Sequence, residues 1–304
     1  MLQSPQIVSI NVGIDWLTMT LPKEATLAQK WLNDALILVD EVVSDGNELQ
    51  YRDRLGYSGV ATNHCFVGES GDRIMVTFQS HYAHRAASVL YRGDCNVSRL
   101  DVRVDCQYDR MPANIGKKAY RDAIAHNNTL NGTRKRKIHI IVGSDNGDTV
   151  YTGSAASEQR GCLYNKSVES GDSLYEHTWR YEVRLKDKQA YAIYTQYAQG
   201  NAYGVNFLSD FVAIWYESRG IDAPWPYDEK NLPLPPKAEL PSDAERKLKW
   251  LQRQVRPTIE YLLSVTDCDT ILNALGLPND LNVMSSEAES GVQKAVGDTL
   301  PLEE

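Results

Sequence analysis

The segment Ser98–Asp105, SRLDVRVD, alternates so strictly that it constrains the fold of the chain around it. On an extended backbone Leu100, Val102 and Val104 fall on one side, and Asp101, Arg103 and Asp105 on the other. Such a strand needs an apolar layer against one face and water or a ligand against the other. HTWRYEVRLK repeats the pattern, with Trp179, Tyr181, Val183 and Leu185 opposite Arg180, Glu182 and Arg184. If the two strands are neighbours, their carboxylates converge on the open side of one sheet, and oxygen ligands of that kind suit Mg2+ or Mn2+. A sheet that merely wets this face, with its charges paired across strands, produces the same alternation.

The remaining pattern supplies more strands and the helices that cover them. Ile7–Thr20 reads as a strand with Val12, Ile14 and Trp16 on one face and Asp15 on the other. KEATLAQKWLNDALILVDEVV reads as an amphipathic helix through Leu27, Trp31, Leu32, Ala35 and Leu38. Residues 56–80 form hairpin strands around Gly68-Glu69-Ser70-Gly71, and HYAHRAASVLY begins a helix. A helix starts near Pro112, and another runs from Lys188 through KQAYAIYTQYAQ. TRKRKIHIIVGSDNGDTVYTG is a strand, a Gly/Asn/Asp turn and a second strand, and RGCLYNKSVE alternates as a strand. The fold class is therefore α+β: an antiparallel-rich central sheet with flanking helices, followed by a C-terminal helical segment. Residues 7–222 form the main domain, 223–242 a proline-rich linker, 243–284 the helical segment, kinked or divided at Pro257, and 285–304 a flexible tail.

Charge is unevenly placed. The chain carries a net charge of −8, yet residues 85–190 hold 18 Lys/Arg against 13 Asp/Glu, and the remainder holds 14 against 27. A basic middle in an acidic protein can still meet phosphate. The five cysteines stand singly, without a CxxC pair, as expected of free buried thiols in a reducing, cytoplasmic setting. No apolar run reaches the ~20 residues that span a bilayer, and the first residues do not read as a secretory signal, so no membrane partner is expected. Gly143, Gly147 and Gly153 match neither a phosphate-cradling nor a dinucleotide-binding loop.

Tyr164, in LYNK, is the candidate nucleophile, sharing a face with Cys162 and Lys166 if the strand is regular. A phenol has a pKa of ~10, so it needs a cation or base beside it, and Lys166 or a metal would lower that cost. Most tyrosines among the 17 here are packing residues. The run Arg134, Lys135, Arg136 and Lys137 begins a strand and either grips a DNA backbone or is simply solvated. Arg103, Arg180 and Arg184 could neutralise phosphate oxygens with their fixed forks. His81 and His84 share a helical spacing but have no third ligand, and His139 reaches the charged face only if its register allows.

Four strings in order, SRLDVRVD (98–105), VYTGSAASEQRGCLYNK (150–166), WRYEVRLK (179–186) and KLKWLQRQVRPTIEYLL (247–263), resemble the replication initiation factor family. That family contains rolling-circle initiators of plasmids, relaxases of integrative conjugative elements, and proteins of filamentous phages. The resemblance implies a relaxase-like nicking domain on a sheet. It implies a tyrosine, here Tyr164 with Lys166 beside it, that attacks a DNA phosphate and leaves a 5′-phosphotyrosyl link and a free 3′-OH. It also implies a Mg2+ or Mn2+ ion on acidic residues, here Asp101, Asp105 and Glu182; Glu169, shortly after the tyrosine, is a further polar candidate from sequence proximity alone. Gly153, Ser154 and Ser157 keep the family's Gly-Ser-x-x-Ser string, and Asp15 either binds metal or supports a turn. The expected partner is origin DNA, single-stranded or extruded near the nick site, with a host helicase and a second copy of the chain as further partners. The alternative is a DNA-binding regulator or replication adaptor that keeps the fold without catalysis.

Overall fold

The computed structural model describes residues 4–90, 95–131, 135–144, 147–199, 204–228 and 255–274. Its centre is a ten-stranded sheet in the order β2-β3-β4-β5-β1-β6-β10-β9-β8-β7, and every neighbouring pair in it is antiparallel. The strands are β1 (Ile7–Pro22), β2 (Gln50–Arg54), β3 (Tyr57–Ala61), β4 (Cys65–Glu69), β5 (Arg73–Gln79), β6 (Asn96–Tyr108), β7 (Ile138–Ser144), β8 (Gly147–Thr152), β9 (Gln159–Asn165) and β10 (Thr178–Lys186). The helices are α1 (Ala28–Ser44), α2 (His81–Val89), α3 (Ile115–Thr129), α4 (Lys166–Ser170), α5 (Asp187–Gln199) and α6 (Gly204–Glu217). A second unit, Glu239–Glu304, contains α7 (Arg256–Val265) and α8 (Cys268–Ala274). Pro257 sits in the first turn of α7, where its missing N–H costs nothing, and the residues before Val255, on which the expected kink or division depends, lie outside the described residues. Of the expected linker (223–242), helical segment (243–284) and tail (285–304), residues 229–254 and 275–304 lie outside the described residues.

The two alternating strands behave as their sequences require. Leu100, Val102 and Val104 of β6, with Tyr181, Val183 and Leu185 of β10, join one core with apolar residues of α1, α2, α3, α5 and α6. Trp31 of α1 is fully buried and its indole donates to the Leu90 carbonyl past the end of α2 at 2.8 Å. Behind β10, Tyr181 meets Tyr216 of α6 edge-on at 5.3 Å and Trp225 at 5.0 Å. Helix α6, built on the apolar run from Phe207 to Tyr216, was not anticipated from the sequence pattern. Its Tyr216 hydroxyl donates to the Glu182 backbone carbonyl at 2.9 Å, which fixes that strand from the core side.

Five local expectations are corrected. The β1 register shifts between Ile14 and Trp16, so the bulge places Ile14 and Leu17 in the core and turns Trp16 to the charged face. In α1 the buried stripe runs through Ala28, Trp31, Ala35, Leu38, Val39 and Val42, and Leu27 is the exposed N-cap residue. Helix α3 begins at Ile115, and Lys135–Lys137 precede β7 instead of starting it. Strand β9 ends at Asn165, whose side chain accepts from the Val168 N–H at 3.3 Å and caps α4, so Lys166 is helical and out of step with Tyr164.

Candidate active site

The open face of the sheet carries three rows of paired residues. Register places Tyr164 of β9 opposite Arg180 of β10, Arg180 opposite Asp105 of β6, and Asp105 opposite Asn11 of β1. The next row holds His139, Tyr151, Cys162, Glu182, Arg103 and Gly13, and the third holds Arg160, Arg184, Asp101 and Trp16. The expected meeting of the two charged strand faces is therefore met, and His139 lies on the same face, its ring stacked on Tyr151 at 4.7 Å.

Guanidiniums and carboxylates alternate across these rows. Arg180 donates from Nε to Asp105 Oδ1 at 2.6 Å, from Nη2 to Asp105 Oδ2 at 2.9 Å, and from Nη1 to Asp15 Oδ1 at 2.8 Å. Arg103 donates to Asp105 at 2.5 Å and to Asn11 at 2.9 Å. Arg99 holds Asp101 through two bonds of 3.0 and 2.6 Å, and Arg184 donates to Glu182 at 2.5 Å. The side chains of Asp101 and Glu182 are 3% and 2% exposed, so these pairs are interior ones in which low polarity strengthens every contact. The bulge explains Asp15: the extra residue in β1 directs its carboxylate to Arg180, while its carbonyl accepts from the Ser80 N–H at 2.8 Å.

Tyr164 sits at the end of this network. Its hydroxyl donates to Glu182 Oε2 at 3.3 Å and faces Arg180 Nη1 at 3.5 Å. Burial and then the Glu182 charge push its pKa far above the ordinary phenol value, and Arg180 opposes the shift. Burial and then the Asp101 charge raise the Glu182 carboxyl to about 7, with Arg184 opposing. Asp101 is raised mainly by burial, against the pull of Arg99. The cation at the tyrosine hydroxyl is thus Arg180. Lys166 instead bonds Glu169 at 2.6 Å and lies 5.1 Å from the Tyr175 ring centre.

The expected ligand residues share this face but do not converge. Asp105 is held by Arg180 and Arg103, Asp101 by Arg99, and Glu182 by Arg184 and Tyr164. No group of three or more His, Cys, Asp or Glu side chains among the described residues is arranged to hold a metal. The oxygen donors suit a hard cation in kind, but Asp101, Asp105 and Glu182 do not fit one ion in this arrangement. Of the expected DNA contacts, Arg180 is buried and Arg103 lines a polar pocket of about 400 Å3 with Asn11, Gln107 and Tyr175. Arg134 lies outside the described residues. Lys135, Arg136 and Lys137 line a cleft of about 510 Å3 together with Gln189 of α5 and Arg219, so they open beside the helices and not onto the Tyr164 face. Asp15, and Glu182 as the partner of the tyrosine hydroxyl, are the roles that periodicity alone did not assign.

A central antiparallel sheet with an ionic face of this kind defines a class by its fold. The structure of a rolling circle replication initiator protein from Geobacillus stearothermophilus matches it with a TM-score of 0.50 at 19% identity, over 69% of this chain and 85% of that one. The chain belongs to the replication initiation factor family, whose model matches residues 95–275. That span contains Asp101, Asp105, Tyr164 and Glu182 and leaves Asp15 outside. No curated protein sequence matches the chain. No described helix is long and apolar enough to cross a membrane.

Proposed function

We propose that this replication initiation factor nicks and rejoins DNA at an origin through Tyr164. One observation carries the reading: the Tyr164 hydroxyl donates to Glu182, a carboxylate whose pKa is raised to about 7 and whose other oxygen is held by Arg184. A nucleophile, a base in hydrogen-bond reach, and a third group that orients the base form the arrangement an activated hydroxyl needs. A base with a pKa near the working pH is also the most effective proton acceptor.

In this mechanism Glu182 takes the phenol proton as the Tyr164 oxygen bonds to phosphorus of a DNA phosphodiester. The bond from phosphorus to the 3′ oxygen breaks, and that oxygen takes a proton from solvent water to become the 3′-OH that primes synthesis, while Glu182 returns its own proton to solvent. The 5′ end remains on Tyr164 as a phosphotyrosyl ester, and reversal of the same steps rejoins the strand without a nucleotide. Arg180, fixed by Asp105 and Asp15, stabilises the phenolate.

A Mg2+ or Mn2+ requirement belongs to the same proposal. When bound, such an ion supplies charge neutralisation at the scissile phosphate. Asp101, Asp105 and Glu182, each held by a different arginine, do not meet at one point. The proposed substrate is origin DNA, single-stranded or extruded near the nick, with a host helicase and a second copy of the chain as further partners.

The burial of Tyr164 favours a second reading, a DNA-binding regulator without catalysis. Supercoiled DNA bearing the cognate origin, incubated with protein and Mg2+, Mn2+ or EDTA beside a Tyr164→Phe control, separates the two. A covalent adduct from the parent alone supports nicking through Tyr164, and binding without any adduct under all three conditions supports the regulator.

A further inference from the structure

The β8–β9 connection, residues 153–158, carries the Gly-Ser-x-x-Ser string and has no part in the strand-transfer chemistry above. It leaves β8 through Gly153 at φ +100, where a Cβ would stand 2.9 Å from the Gln159 carbonyl oxygen, so only glycine makes this turn without strain. The end of β10 pins the connection in place. Lys186 Nζ donates to the Ala155 carbonyl at 2.9 Å, and its backbone N–H donates to that of Glu158 at 2.9 Å.

Between this connection and the ionic sheet face lies a small pocket of about 150 Å3, lined by Arg99, Ala155, Ser157, Arg160, Arg184 and Lys186. Its lining contains four cations and no carboxylate. Asp101 and Glu182 neutralise Arg99 and Arg184 from behind. Arg160 and Lys186 make no ion pair among the described residues, and the buried Nε of Arg160 has no hydrogen-bond partner although its guanidinium lies 4.0 Å from the Tyr151 ring centre. Like charges crowded around so small a space repel one another until an anion enters.

We propose that this pocket is a phosphate subsite for the DNA strand that Tyr164 attacks. Its placement rests on the nicking reading, but its chemistry does not. Arg160 and Tyr164 lie on the same face of β9, four residues apart, which is ~14 Å at ~3.4 Å per residue. A phosphodiester held here belongs to the same strand a few nucleotides from the scissile one. Guanidinium forks match its oxygens, and Lys186 adds a compact charge. Holding a non-reacting phosphate sets which phosphodiester lies at Tyr164, so the subsite acts by positioning.

The test uses the full chain and a fluorescent oligothymidylate, with affinity measured by anisotropy across a salt series. Arg160→Gln and Lys186→Gln should each weaken binding by roughly threefold to tenfold and reduce the slope of log affinity against log salt by about 0.7, the value for one lost single-strand phosphate contact. Lys186→Arg should keep the parent slope, which separates charge from folding, because Arg160→Gln also removes packing on Tyr151. Slopes unchanged in both glutamine variants overturn the proposal. So does a pocket that takes only free phosphate: inorganic phosphate would then raise the parent's Tm, the variants would lose that shift, and the oligothymidylate slopes would not move. An adduct assay with the same proteins keeps the two readings apart. Reduced slopes without any adduct retain the subsite and remove the nicking reading, and a normal adduct with unchanged slopes does the reverse.

Discussion

Arg180 grips both oxygens of Asp105, at 2.6 and 2.9 Å, from the middle of the sheet where both side chains are nearly inaccessible. Removing Asp105 leaves Arg180 and Arg103 with Asp15 as their one shared carboxylate among the described residues. Asp105→Ala should destabilise the fold by about 3–5 kcal/mol, since it leaves Arg180 and Arg103 short of a counter-ion in the interior. Chemical denaturation followed by circular dichroism reads this directly, and an unchanged midpoint would mean that the pair is solvated in solution.

Proton transfer from Tyr164 to Glu182 predicts a pH profile. The carboxyl is held near 7 by burial and by Asp101, and it accepts a proton only when ionised. Adduct formation by the parent should rise as pH increases through about 7 and then level off. Glu182→Gln should be ~100-fold or more slower and lack that step. A profile of the same shape in both proteins would assign the proton to another acceptor.

The same carboxyl links stability to acidity. Its pKa is raised from 4.5 to about 7 on folding, so the folded state holds this proton more tightly than the unfolded chain. Its contribution is fully present below about 4.5 and is lost as pH rises through about 7. The difference in unfolding free energy between parent and Glu182→Gln should therefore change across that window and be flat above it, as urea titrations at successive pH values would show.

Gly161 lies on the strand that carries Tyr164 and faces α6, where a Cβ would fall 2.5 Å from the Trp215 ring. Gly161→Ala should cost about 1–3 kcal/mol through overpacking and shift β9 or α6. A thermal melt that matches the parent would show that α6 can yield at no cost.

Thiol chemistry should be silent in the native protein. Cys65, Cys106 and Cys162 are buried, and burial raises each thiol, to about 12 at Cys162. Alkylation under native conditions, read by mass spectrometry, should leave these three unmodified until denaturant is added.

How much of this was legible in the sequence depends on which distances periodicity encodes. The two faces of β6 and β10 follow from alternation alone, because side-chain direction on a strand is fixed by position. Their adjacency does not: that Arg180 meets Asp105 and Tyr164 meets Glu182 is a matter of register and of the Tyr164 and Glu182 rotamers. Single-residue irregularities hid more. Asp15 lies on the ionic face as alternation expects, but the β1 bulge turns Trp16 there as well, which strict alternation forbids, and the Asn165 cap breaks the spacing that would have set Lys166 beside Tyr164. Glu182 could be placed on the ionic face, but sequence could not distinguish a metal ligand from a proton acceptor, since both need only a buried carboxylate.

The matched pairing of Asp15, Asp101, Asp105 and Glu182 with Arg99, Arg103, Arg180 and Arg184 has a consequence for the proposed meeting with DNA. An incoming strand meets arginines that already have partners, so it must outcompete four built-in rivals before it gains their charge. On the nicking reading proposed above, a strand offering generic phosphates alone gains less from these four arginines than from Arg160 and Lys186, unpaired among the described residues. On that reading, the sheet face admits only a strand whose shape and sequence reward opening this network.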